Sequence, residues 1–118
     1  MVVAKFGMDA SRLVVSLHVK GHAGQNIPGN DIVCASASIL AYTLAQNIKM
    51  SEERGHLKYS PKLKLKEGDS IITCRAKDED TYTELLHTFL VIQTGYMLLA
   101  HNYPQYVAVE MFGEADKP

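Results

Sequence analysis

The chain has 118 residues, 47% of them hydrophobic, with 12 Lys and Arg against 13 Asp and Glu. That length suits one domain, 1–118, able to bury a core without disulfides or structural metal. The near balance of charge excludes the global basic field that draws nucleic acid or anionic lipid to a protein, so neither direct nucleic-acid binding nor membrane association is expected. No signal peptide opens the sequence and nowhere do roughly 20 apolar residues run together, which makes the cytoplasm the expected location and reduced thiols the expected state of Cys34 and Cys74.

In chain order, Val2 to Phe6 is a short apolar run and Gly7 to Ser11 supplies turn chemistry. Arg12 to Lys20 then alternates, with Leu13, Val15, Leu17 and Val19 on one face and Arg12, Ser16, His18 and Lys20 on the other, which predicts an antiparallel hairpin. If the alternation continues past Gly21, His22 lies on the polar face at the end of the sheet. Ala23 to Asn30 is rich in Gly, Asn and Pro and is predicted to lack regular structure. Asn30 or Asp31 is a suitable N-cap for a helix from Ile32 to about Met50.

That helix is apolar nearly all round. Val33, Ala37, Leu40, Ala41, Leu44 and Ile48 share one face, while Ile39, Tyr42 and Ala45 lie elsewhere. Its small residues, among them Ala35, Ser36 and Ser38, invite close approach by a neighbour, and in so short a chain this points to a homodimer.

Ser51 to Gly55 ends the helix, and a second hairpin follows: Leu57 to Lys66, a turn at Glu67-Gly68-Asp69, and Ser70 to Ala76. Pro61 with Lys62, Lys64 and Lys66 marks a guarded sheet edge, its lysine row either a solvated face or an electrostatic landing strip for an acidic or RNA-bound partner. Thr81 and Glu84 form a capping box ahead of a helix carrying Tyr82, Leu85, Leu86, Phe89, Ile92, Tyr96 and Leu99 at helical spacing, stopped by Asn102 and Pro104. A strand from Tyr106 to Phe112 precedes a charged tail. The order ββαββαβ predicts an α+β two-layer sandwich, with a mixed or antiparallel sheet of about five strands and two helices.

Chemistry concentrates on His22 and Cys34. Cys34 falls near the start of a helix, where unsatisfied amides and the helix dipole favour negative charge on sulfur. A strand-end histidine can take the thiol proton and later protonate a leaving group. The bland alternative is a helix cysteine that merely packs. Zinc is disfavoured, because His18, His56, His87, His101 and Cys74 show no paired ligand spacing, so no metal and no cofactor are expected.

Gly21-His22-Ala23, the step from His22 to Cys34, and Asp31-Ile32-Val33-Cys34-Ala35 followed by Ser38 resemble the ribosomal-processing cysteine protease family, Prp. The resemblance implies an intracellular, usually dimeric cysteine peptidase that removes a short N-terminal extension from large-subunit ribosomal protein twenty-seven. Cys34 matches the family's nucleophile and His22 its general base, and Gly21, Asp31 and Ser38 match further motif positions. Asp31 either caps the helix or orients His22; Ser38, one turn after Cys34, either hydrogen-bonds into the dyad or permits close packing. The loop from 23 to 30, with Gly24 and Gly29 as permissive backbone points, is expected to act as a substrate-responsive gate. Two rival readings are a non-catalytic ribosome-assembly or protein-interaction module using the same loop and helix, and a thiol redox sensor that would need Cys74 as its resolving cysteine.

Overall fold

In a computed structural model of the chain, which describes residues 1–24 and 30–114, the alternating first segment forms a hairpin of β1 (Val2–Asp9) and β2 (Val14–Lys20). Val3 pairs with Lys20 at one end and Asp9 with Val14 at the other. The strands join where the Asp9 carboxylate accepts hydrogen bonds from the Ser11 hydroxyl at 2.8 Å and the Arg12 amide at 3.1 Å. Leu13 then reverses the chain with φ of 60°. This turn explains why β2 starts at Val14 and not at Arg12. β1 in turn runs past Phe6, because Gly7 and Met8 stay in the ladder opposite Ser16 and Val15.

Helix α1 spans Asn30–Glu53, and a second hairpin follows from β3 (Lys62–Lys66) and β4 (Asp69–Arg75). Helix α2 (Glu79–Asn102) and β5 (Val107–Glu114) complete the chain. The strand order is β3-β4-β2-β1-β5. β5 lies parallel to β1 and the other pairs are antiparallel, so the sheet is mixed. The fold is α+β with the predicted element order. β3 is an edge strand with Lys62, Lys64 and Lys66 exposed, as a guarded edge requires.

Both helix starts differ from the sequence reading. α1 begins at Asn30, so Asn30 and Asp31 are helical residues and not the cap. The cap position falls among residues 25–29, outside the described residues. α2 is capped by Asp78 and not by Thr81. Asp78 is extended, with φ of −153° and ψ of 175°, and its carboxylate accepts the Thr81 amide at 2.8 Å. Thr81 is thus the donor of the cap, three residues in. At its other end α1 outruns Met50 because Gly55, with φ of +75°, lets the amides of Gly55 and His56 reach back to the carbonyls of Glu52 and Ser51.

The core forms between the helices and the sheet face bearing Phe6, Leu17 and Ile72, all fully buried with Leu44, Ile48, Phe89 and Tyr96. Burying each such side chain contributes roughly 1.5–3 kcal/mol. Phe6 meets Tyr96 edge to face at 6.1 Å between ring centroids. The Tyr96 hydroxyl donates to the Ala37 carbonyl at 2.7 Å, tying α2 to α1. The helices touch closely at Gly95, where a Cβ would stand 2.6 Å from Leu40 Cδ2. Ala37, Ala41 and Ala45 are buried within the chain and serve its own packing, whereas Ala35 is exposed. The large exposed apolar residues of α1 are Ile32, Ile39, Tyr42 and Met50. No described helix is long and apolar enough to cross a membrane.

Candidate active site

β2 ends at Lys20, and the next two residues turn the chain toward α1. Gly21 has φ of +99°, a conformation that side chains rarely adopt. A Cβ there would overlap the Met1 carbonyl oxygen and lie 3.2 Å from its carbon. Its amide donates to the Gly68 carbonyl at 2.9 Å. Backbone angle and close approach together demand glycine immediately before His22.

His22 is exposed, and one side of its ring lies against the β3–β4 turn. A Cβ on Gly68 would reach 2.7 Å from His22 Cε1 and closer still to Nε2, and Gly68 itself has φ of +80°. The turn therefore supplies a flat backbone seat for the imidazole. Across the cleft, Cys34 is half-buried on α1, with Val33 and Ala37 buried on either side of it in sequence. Counted from Asn30, it stands one turn into the helix, so its own amide already belongs to the helical ladder. Amides free to bind an anion lie earlier, around Asp31 and Ile32.

His22 and Cys34 line the same cleft. Its floor is apolar, from Val2, Val19, Ala37 and Ala41, and its rim carries Ser38, Tyr42 and the turn residues Lys66, Glu67 and Gly68. A thiol and an imidazole on the walls of one groove are the groups that nucleophilic acyl transfer requires.

Of the other predicted positions, Gly21 and Ser38 belong to the cleft, and Asp31 is exposed in the first turn of α1 and does not line it. Gly24 is described, with φ of +104°. Gly29 and most of the proposed gate, residues 25–29, lie outside the described residues. Sequence reasoning missed Gly68 and Tyr42. Gly68 had a turn signal but nothing to say which residue the turn would meet.

Cys74 is remote from this chemistry. It lies in β4 opposite Val15, 1% exposed, and burial pushes its thiol up to about 12. It is not bridged to Cys34. Among the described residues, no group of three or more His, Cys, Asp and Glu is placed to hold a metal ion.

Three solved structures share this architecture. SMU.848 from Streptococcus mutans is 24% identical, with 96% of each chain covered and a TM-score of 0.63. The essential ribosomal processing protease Prp from S. aureus, in complex with a covalently linked product peptide, is 18% identical, with 96% of this chain and 100% of that one covered and a TM-score of 0.65. The same protease with a substrate peptide gives 17% identity, the same coverage and a TM-score of 0.66. These likenesses establish the fold. No curated protein matches the sequence. The family model described as Cysteine protease Prp matches residues 1–108. With the fold shared and nearly the whole chain matched, the protein belongs to the Prp cysteine protease family.

Proposed function

We propose that this peptidase uses Cys34 as nucleophile and His22 as general base to remove the N-terminal extension of large-subunit ribosomal protein twenty-seven, acting as a homodimer in the cytoplasm without a cofactor. The observation that carries the reading is that His22, just past the end of β2, and Cys34, on α1, line one cleft in a chain of a cysteine protease family. The substrate assignment draws on the ribosomal processing proteases of the same fold.

In the reaction, His22 accepts the Cys34 proton and the sulfur attacks the scissile carbonyl carbon. The C–N bond breaks as the imidazolium returns its proton to the departing amine, leaving a thioester. Water, deprotonated by His22, then adds to the thioester carbonyl; the C–S bond breaks, the new carboxyl product leaves and the thiol is restored. Amides at the start of α1 are the nearest helix donors for the oxyanion. The dimer assignment rests on the apolar outer faces of the helices, where Ile39 is 61%, Val91 70% and Leu98 60% exposed. Sedimentation should give twice the chain mass at micromolar concentration; a monomer would remove that part of the proposal.

The deciding experiment is incubation with the extended ribosomal protein of the same organism, read by mass spectrometry. One cut that frees the extension, lost in Cys34→Ala, is expected. Tight binding without a cut would favour the non-catalytic assembly module instead.

A further inference from the structure

The turn that seats His22 is held from the opposite face of the sheet. Strand alternation puts His18, Lys64 and Asp69 on the face away from the helices, since their neighbours Leu17, Leu63 and Ser70 have the other parity. Asp69 is the first residue of β4, directly after Gly68. One carboxylate oxygen lies 2.8 Å from His18 Nε2 on β2, and the other accepts from Lys64 Nζ on β3 at 2.8 Å. In register Asp69 stands opposite Lys20 on one side and Lys66 on the other, so both side-chain bonds run diagonally to the neighbouring strands. A single carboxylate thus ties three strands together where the turn ends. Lys64 first, and His18 second, hold the Asp69 carboxyl down to about 2.

Resting on the dyad reading above, we propose that Asp69, clamped by Lys64 and His18, is a positioning residue for catalysis: it fixes the β3–β4 turn so that Gly68 seats the His22 ring. The chain of contact is short. The carboxylate fixes Asp69; the adjoining Gly68 presents its carbonyl to the Gly21 amide and its Cα face to the imidazole. Both neighbours of His22 in this arrangement, Gly21 before it and Gly68 beside it, are backbone with no side chain to adjust. A shift of the turn therefore passes directly to the ring, and misplacement by about 1 Å can reduce turnover about a hundredfold. Exposed ion pairs contribute little to global stability, so the clamp acts locally and not on the fold as a whole.

The test compares Asp69→Ala and Asp69→Asn with the unmodified protein. In the substrate-free protein, Asp69→Ala should speed amide exchange at Gly21 about tenfold and shift the His22 ring NMR signals, while exchange at Phe89 and Ile92 of α2 stays unchanged. With a synthetic peptide spanning the extension and junction of ribosomal protein twenty-seven, kcat should fall about tenfold and KM stay within about twofold. Asp69→Asn, which keeps the shape and one acceptor, should recover part of each effect. Should Asp69→Ala fail to fold, Lys64→Met and His18→Leu each remove one arm and should each speed Gly21 exchange about threefold. Gly21 exchange and His22 signals identical to the unmodified protein would overturn the proposal, as would faster exchange spread equally through α2. If the peptide is never cut by any form of the protein, the dyad reading fails, and the exchange and ring signals still decide the clamp.

Discussion

Cys34 stands on the wall of an open cleft, half-buried on α1, whereas Cys74 is sealed in the sheet opposite Val15 with 1% of its surface exposed. The residue type is the same and the surroundings differ in access. Burial without a compensating charge keeps the Cys74 thiol protonated up to about pH 12. A thiol so held is a small apolar core group. Reactivity follows access and neighbours and not the presence of sulfur.

The comparison breaks most sharply under substitution. On the proposed mechanism, in which the two act as a unit, Cys34→Ala should lower processing by more than about a thousandfold, and His22→Ala nearly as much. Cys74→Ala should leave turnover within about twofold and lower unfolding free energy by about 1 kcal/mol through the small cavity it leaves. Mass spectrometry of the product and urea titration read the two effects. Loss of turnover in Cys74→Ala, with Cys34→Ala active, would reverse the assignment.

A second pair sharpens what the cleft demands of its backbone. Gly68 and Gly55 both have positive φ, +80° and +75°, but a Cβ at Gly68 would strike the His22 ring and one at Gly55 would meet nothing within 4 Å. Gly68→Ala should therefore reduce kcat about a hundredfold, whereas Gly55→Ala should cost about 1 kcal/mol of stability and leave kcat unchanged. Equal kinetic effects would show that the seat under His22 does not matter.

Smaller effects test the thiols in the intact protein. Iodoacetamide at neutral pH should label Cys34 at least about tenfold faster than Cys74. Raising the pH works against Cys74: the unfolded chain gives up this proton near the ordinary 9.0 and the folded chain only near about 12. Between those values the unfolded state binds fewer protons, so the group favours unfolding by about 1.4 kcal/mol per pH unit. Urea midpoints of the unmodified protein should fall more steeply with pH in that window than those of Cys74→Ala. Away from both cysteines, Asp78→Ala should cost about 1 kcal/mol by removing the α2 cap, with turnover unchanged.

Much of this was legible in the sequence, for a physical reason: periodicity reports local burial. The inner faces of both helices and of β2 are where the pattern puts them, and the element order follows, but Ser16, expected on the polar face of β2, is buried with Val14. Element ends were less legible, because single conformations set them: Leu13 at φ of 60°, Gly55 past α1, Asp78 before α2. His22 and Cys34 could be singled out by type and setting. The third wall of their cleft could not, since it depends on β4 pairing with β2 across the intervening helix. A glycine in a tight turn looks the same in sequence whether it faces solvent or an imidazole.

The parallel pairing of β1 with β5 bears on how the protein comes into being on the ribosome. Val2, part of the cleft floor, donates its amide to the Tyr106 carbonyl at 2.8 Å and pairs with Val107. The first strand is translated long before its partner, and synthesis proceeds at about 5–20 residues per second. For several seconds a nascent chain carries its cysteine and histidine without the strand that anchors the cleft floor. Pairing over so long a separation is also slow to nucleate. Completion of the cleft floor is therefore deferred until translation has passed β5, long after His22 and Cys34 have been joined to the chain.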